Sequence, residues 1–219
     1  MLPRVLEPEA MDTEAEAIDY DSMDHSHVNR VFCEDLLAHG PGEGEILDLG
    51  TGTALIPMEL CRQWAAARVL AVDAAGHMVT VARKNVEAAG LGDRIRVELV
   101  DAKRLPYRGG QFATVMSNSI VHHIAEPITV LREAWRVLAP GGLLFLRDLF
   151  RPPDDATVRH VVDTYAAGAN AHQRQMFEDS LRASLTVGEV QALAAELGLG
   201  PGTVRATSDR HWTLAAGRT

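Results

Sequence analysis

Cysteine, positive charge and long apolar runs are all scarce in this chain, and each shortage argues against a class of protein. Only Cys33 and Cys61 are cysteine among 219 residues. They stand far apart, and no His or Cys spacing suggests zinc. The expectation is therefore reduced, packed thiols and no metal, not a disulfide scaffold. Lysine and arginine number 21 against 30 acids, a formal net charge of −9, and they are scattered. Nucleic-acid binding needs a basic surface to meet phosphates, so no such partner is expected, and the acidity reads as solubility. No apolar run approaches the roughly 20 residues that span a bilayer. The acidic N-terminus lacks the apolar segment of a secretory signal. No membrane partner is expected, and a cytoplasmic location follows by default. Internal repeats, low-complexity tracts and a Ser-His-Asp order are also missing.

What is present is one α/β unit. The length suits a single domain with additions, and 47% apolar residues is an ordinary globular fraction. The most informative stretch is Asp48-Leu49-Gly50-Thr51-Gly52-Thr53-Ala54. It follows the apolar run Glu45-Ile46-Leu47 and leads into the helix-like Leu55-Ile56-Pro57-Met58-Glu59-Leu60. Glycines at 50 and 52 let the backbone turn tightly and approach a ligand, and the helix start offers free N–H groups. Arg68–Val72 reads as a second strand ending at Asp73. An acid about 20 residues beyond a glycine turn is where α/β nucleotide folds hold ribose hydroxyls. A helix follows to about Ala89. Arg94–Val100 alternates as a third strand before Asp101-Ala102, and Ala113–Ser117 is a fourth before Asn118-Ser119. Four strands thus end in polar residues, at the edge where an open parallel sheet binds ligands.

This order resembles the class I S-adenosylmethionine-dependent methyltransferases, in particular the small-molecule group that includes quinone-biosynthesis C-methyltransferases. Their acid-x-Gly-x-Gly-x-Gly pattern appears as Asp48-x-Gly50-x-Gly52-x-Ala54, with alanine in the last place, a departure expected to cost little. The resemblance implies Asp73 on the ribose, Met78 over adenine and Asp101-Ala102 at the adenine amino group. Asn118-Ser119-Ile120-Val121-His122-His123 resembles the segment after the fourth strand, and Leu138-Ala139-Pro140-Gly141-Gly142 the turn before the fifth. The match covers about 45–150 well and the rest loosely. An NAD-dependent oxidoreductase fits less well, because its third fingerprint glycine falls on Leu55 and little chain remains for a substrate domain. The Asn/Asp-Pro-Pro-aromatic motif of amino-nitrogen methyltransferases is absent, as is a cysteine set like that of arsenic methyltransferases.

The expected fold is a Rossmann-like, doubly wound, mostly parallel seven-stranded sheet with a C-terminal antiparallel hairpin and an N-terminal helical lid. Residues 1–44 form the extension. Leu2–Glu9, with two prolines, reads as loose; Met11–His39 is helical in composition, broken near Tyr20–Ser22, with Ser22 as cap of a second helix, and Gly40-Pro41-Gly42 ends it. The methyltransferase domain is 45–219. Its helix over 126–138 shows Ile128, Leu131, Trp135 and Leu138 at helical spacing. A fifth strand over 143–149 precedes a helical insertion over 151–185, with helices near 155–167 and 172–182. Thr186 caps a helix to Leu197 with Gly198 at its end. Two strands joined at Asp209-Arg210 close the chain.

The resemblance implies S-adenosyl-L-methionine as cofactor, with S-adenosyl-L-homocysteine as product, and a small-molecule substrate. A non-catalytic, regulatory protein binding the same cofactor is the alternative from another class. Cofactor candidates are Tyr20, Asp48, Gly50, Thr51, Gly52, Asp73, Ala74, Met78, Asp101, Ala102, Asn118 and Ser119. Tyr20 is included because an N-terminal helix covers the cofactor in similar enzymes. His123 and Tyr20 are the candidates for catalysis: a neutral histidine after the fourth strand can accept a proton from an acceptor, or can simply pack. His25, Asn29, His122 and Asp148 are substrate-side candidates, with burial of Asp148 beside Arg147 or Arg151 as the structural alternative. Trp212 reads as core, and Met176-Phe177 as a lid lining or a helix anchor. Acceptor atom and oligomeric state stay open, a homodimer included.

Overall fold

A computed structural model describes residues 1–7 and 12–219. Seven strands form one sheet: β1 (Glu45–Leu49), β2 (Arg68–Asp73), β3 (Ile95–Leu99), β4 (Phe112–Asn118), β5 (Leu138–Leu149), β6 (Val204–Ala206) and β7 (His211–Gly217). Their order is β3-β2-β1-β4-β5-β7-β6. Strands β1 to β5 run parallel, and β7 lies antiparallel between β5 and β6, as expected. The chain order reverses beside β1, so β1 and β4 flank the switch point where such sheets bind ligands.

The helices are α1 (Glu14–Ser22), α2 (Ser26–Ala38), α3 (Leu55–Gln63), α4 (Gly76–Ala88), α5 (Pro127–Val137), α6 (Asp155–Tyr165), α7 (Ala171–Ala183) and α8 (Val187–Glu196). Strand residues alternate between two cores because successive side chains point to opposite faces. Ile46, Val69, Ala71, Met116 and Phe145 pack with Phe32 and Leu36 of α2, Leu60 of α3 and Val79 of α4. Leu47, Leu70, Val115, Leu144 and Trp212 pack with α5 and α8 on the other side. Trp212 is fully buried there, as its reading as core requires.

Several local expectations shift. The buried stripe of α5 is Val130, Leu131, Ala134 and Val137, while Ile128 and Trp135 are only partly buried. Leu131 and Leu138 are fully buried as the spacing predicts, and Trp135 packs at the edge of the same core. Ser22 caps nothing: it ends α1 and its Oγ donates to Asp19 O. Instead Asp24 Oδ1 accepts the Ser26 N–H at 2.9 Å and so opens α2. Thr13 and Glu16 form a reciprocal capping box on α1. Thr186 caps α8 with Glu189 in the same way, as the sequence predicts. The insertion does hold two helices, α6 and α7, capped by Asp154 and Asn170. Phe177 packs in their apolar cluster, which anchors α7.

The largest correction concerns the N-terminus. Leu2–Glu7 is not loose. Arg4 donates to the carbonyls of Ala183 (2.6 Å), His122 (3.0 Å) and Ile124 (2.9 Å), and Val5 N–H donates to Arg182 O (3.1 Å). Leu2 packs on the α6–α7 cluster. Pro8, Glu9 and the Met11 start of the expected helical stretch lie outside the described residues.

One close approach governs how β5 passes β4. A Cβ on Gly142 would lie 2.7 Å from Ala113 O and 2.9 Å from Ala139 O, both backbone atoms that cannot swing aside. Gly142→Ala should therefore cost about 1–3 kcal/mol. Denaturant melts check this; an unchanged midpoint would mean that the β4–β5 spacing is loose.

Candidate active site

The site is built at the C-terminal ends of β1, β2 and β4. After β1 the chain turns at Gly50, whose φ is +67°. A Cβ there would lie 2.2 Å from Ile120 Cγ2, so both the backbone angle and the neighbour demand glycine. The turn is tied to β2 twice. Thr51 N–H donates to Val72 O at 2.9 Å, and Gly52 N–H donates to Asp73 Oδ2 at 2.8 Å. The other oxygen of Asp73 accepts Ala75 N–H at 2.9 Å. Burial pushes the Asp73 carboxyl up, opposed by the N–H groups of Ala75, Gly52 and Ala74. A carboxylate oxygen accepts two bonds, so Asp73 keeps acceptor capacity for a diol.

Ala54, where the family pattern has glycine, adopts φ +65° and is fully buried. The alanine is thus not free of cost: a left-handed L residue is disfavoured by roughly 1–2 kcal/mol. Ser119 likewise stands at φ +62° directly after β4, with its N–H donating to Arg147 O. Such strain persists where the surroundings enforce it, often at functional sites.

Asp48 is 2% exposed and its Oδ2 has no hydrogen-bond partner. Burial, opposed by the Thr51 hydroxyl and reinforced by the Asp73 charge, pushes its carboxyl up to about 7. Met78 is buried in α4 and packs with Ala17, Ala75 and Tyr20. Ala102 is buried beyond β3, whereas Ala74 and Asp101 are exposed. Asp101 turns to its neighbour Lys103, accepting its N–H at 2.9 Å and facing its Nζ at 3.2 Å.

Helix α1 lies over this edge. Asp12 Oδ1 accepts His77 N–H at 3.1 Å, and Asn85 Nδ2 donates to Asp21 Oδ1 at 2.8 Å and to Thr53 O at 3.1 Å. The Tyr20 ring sits 3.5 Å from where a Cβ on Gly52 would be. Burial and the charges of Asp73, Asp48 and Asp21 push its phenol up to about 12, so it stays protonated. It stacks on His25 at 4.7 Å, and burial lowers the His25 pKa.

The four substrate-side candidates fall into two groups. His25 and Asn29 line a pocket of about 230 Å³ with Met23, Leu55, Met58 and Arg62. His122 and Asp148 form a buried pair elsewhere. His122 Nδ1–H donates to Asp148 Oδ1 at 2.6 Å, and its backbone N–H donates to Oδ2 at 3.0 Å. Burial opposes charge on His122, but Asp148 and Glu7 outweigh it and raise the imidazole pKa. Burial likewise opposes ionisation of Asp148, and His122 overcomes it and lowers that pKa. Neither arginine expected beside Asp148 is its partner: Arg147 bonds Asp35 at 2.6 Å and Thr213 at 3.0 Å, and Arg151 grips Glu189 and Ser184 O. The orienting carboxylate thus belongs to His122 and not to His123.

Sequence reasoning missed Arg4 and Glu7. Glu7 Oε1 lies 3.3 Å from His122 Nε2 and 3.2 Å from His123 Nδ1, and Ser180 Oγ of α7 donates to it at 3.2 Å. The available signal was two charges in a segment bracketed by Pro3 and Pro8, which restrict the backbone.

A Rossmann-like sheet with a terminal antiparallel strand pair and a polar glycine-turn edge defines the class I methyltransferase fold. Comparison with known proteins agrees. A family described as "Methyltransferase domain" matches residues 46–142. The "Ubiquinone biosynthesis O-methyltransferase" of Dinoroseobacter shibae is 30% identical over 192 residues, covering 84% of this chain and 73% of that protein. The "Demethylmenaquinone methyltransferase" of Thermus thermophilus is 37% identical over 111 residues, 51% of this chain and 50% of that one. The chain spans about half the length of several curated relatives it matches. In fold it is similar to a SAM-dependent methyltransferase from Aquifex aeolicus, with TM-score 0.71 and 20% identity over 94% of this chain and 99% of that one. The chain belongs to the S-adenosylmethionine-dependent methyltransferase family and is similar in sequence to members named for quinone biosynthesis.

Asp48 supplies a test of this electrostatic picture. Its folded pKa is raised from 3.8 to about 7, so the native state holds a proton that the unfolded chain has lost. Its contribution to stability therefore falls as pH rises from about 4 to about 7 and is constant above, by at most about 1.4 kcal/mol per pH unit. Asp48→Asn should remove that slope, so its stability relative to the parent should be better at pH 8 than at pH 5. Urea melts at the two values measure it; parallel profiles would show that Asp48 is solvated.

Proposed function

We propose that the chain transfers a methyl group from S-adenosyl-L-methionine to a small-molecule acceptor and releases S-adenosyl-L-homocysteine. The observation that carries this is the Asp73 carboxylate, fixed by Gly52 and Ala75 at the edge where four strands end in polar residues. In this reading Asp73 takes the ribose hydroxyls, Met78 lies over adenine, Asp101 and Ala102 meet the adenine amino group, and Asp48, Gly50, Thr51, Gly52, Ala74, Asn118 and Ser119 hold the rest of the cofactor. The methyl–sulfur bond breaks as the methyl–acceptor bond forms, and sulfur keeps the electron pair. The donor is already activated, so position and water exclusion are the main requirements.

The acceptor pocket is proposed between the N-terminal extension, the 118–125 loop and the 151–185 insertion. Glu7, the His122–His123 turn and Ser180 come from these three elements and meet, which supports the reading. The relatives' names direct an acceptor panel to quinol-type rings, with a ring hydroxyl or ring carbon as acceptor. His123 remains the candidate to take a hydroxyl proton. Among the described residues no helix is long and apolar enough to cross a membrane, and a cytoplasmic site of action is part of the proposal.

Isothermal titration should show binding of S-adenosylhomocysteine and none of NAD. Asp73→Ala should weaken that binding by roughly 1.5–3 kcal/mol, the value of a hydrogen bond to a charged group. Tight NAD binding alone would overturn the cofactor, and full affinity in a folded Asp73→Ala protein would remove Asp73 from the ribose. Turnover across the acceptor panel separates an enzyme from a cofactor-binding regulator.

We also propose that α1 is a lid over the cofactor, since Asp12, Tyr20 and Asp21 anchor it across the glycine turn and α4. Hydrogen exchange over 12–30 should slow when S-adenosylhomocysteine binds. Deleting 1–23 keeps α2 in the core and should sharply reduce cofactor affinity or turnover, with Tyr20→Phe showing part of that loss. Normal affinity and turnover in the deletion would show that α1 only packs.

A further inference from the structure

The N-terminal strap carries a third donor to two adjacent histidines. Glu7 Oε1, His122 Nε2 and His123 Nδ1 approach to 3.3 and 3.2 Å through the shared carboxylate oxygen. Ligand atoms of these three residues all lie within 4.8 Å of one another. Ligands held at about 2.0–2.1 Å around tetrahedral zinc are about 3.3–3.4 Å apart. The two short separations fit that edge. They are long for charge-assisted N–H···O bonds, which close to about 2.7–2.9 Å.

The surroundings are those of a ligand set. His122 Nδ1–H donates to the fully buried Asp148, which fixes the tautomer with the Nε2 lone pair free for coordination. Ser180 Oγ donates to Glu7 Oε1 and steadies the carboxylate. The His122 and His123 rings lie 4.2 Å apart, tilted by 34°, on one short turn after β4. Arg4 of the strap is held by the carbonyls of Ala183, His122 and Ile124, and its positive charge disfavours a second proton on His122.

We propose that Glu7, His122 and His123 bind one divalent transition-metal ion, with zinc the best fit to the nitrogen and oxygen donors. The ion pins the strap to the turn after β4. Three protein donors leave a fourth position open, as in sites that take an exogenous ligand. That an acceptor oxygen fills it rests on the methyl-transfer reading; the binding of the metal does not.

The test uses the full chain, stripped with a chelator and free of cofactor. Zinc is titrated by calorimetry and cobalt(II) by visible absorption. One equivalent should bind, and cobalt should show the intense bands of a four-coordinate ion. Loss of even an outer partner of a metal site costs about 10–100-fold in affinity, so Glu7→Gln and His123→Ala should each weaken zinc at least about 10-fold. His160→Ala, on the exposed side of α6, should bind like the parent. Thermal melts establish that each variant folds, which is why the half-buried donors are chosen over buried His122. No stoichiometric zinc binding, or binding that both ligand variants retain in full, would overturn the proposal. Neither readout involves S-adenosylhomocysteine, so failure here leaves the methyl-transfer reading standing, and failure of cofactor binding leaves this one.

Discussion

The carboxylate of Asp73 is the constraint on which the ligand edge depends. One oxygen holds the N–H of Gly52 and the other that of Ala75. A single side chain thereby fixes the glycine turn after β1 to the start of α4 after β2. The cost of burying this charge is offset in part by those N–H groups, which are donors that helix starts and tight turns otherwise leave unpaired. That link acts together with the Thr51–Val72 backbone bond and with Asn85 of α4 on Thr53 O, and the three hold the cradle between turn and helix at a fixed width.

Around this link the edge accumulates unfavourable features. Asp48 is buried with an unpartnered oxygen, and Ala54 and Ser119 are left-handed. Each is a local cost that the parallel strands and the two cores can sustain. Their concentration at one edge is physically sensible. A ligand-binding surface must keep polar groups unsatisfied by the protein, so that the ligand satisfies them.

The N-terminal extension divides its work. Helix α2 is core, with Phe32, Cys33 and Leu36 fully buried, and Arg147 stacks over Phe32 and Phe145 while bonding Asp35. Helix α1 is held chiefly by polar anchors and a small apolar cluster with Met78. The strap is held by Arg4 on backbone carbonyls and by Glu7 on side chains. Elements with few buried apolar contacts open most easily.

The sequence by itself determined the sheet and its ligand edge. Glycines 50 and 52 after an apolar run, and acids at 48, 73 and 101 at or just past the ends of successive strands, are local patterns set by backbone sterics and by two-residue periodicity. They were legible because each lies within a few residues of the strand it ends. The caps of α8 and the closing hairpin were legible for the same reason. Tertiary structure decided what local pattern cannot carry. The partner of Asp148 is His122, 26 residues earlier, and not the adjacent Arg147, because neighbours along a strand point to opposite faces. Glu7 reaches His122 and His123 because Arg4 ties the strap to the carbonyls of His122 and Ile124, and because α7, far along the chain, offers Ser180 and the Arg182 carbonyl. Contacts between residues more than a hundred positions apart leave no spacing in a single sequence, so they appear only when the chain is folded.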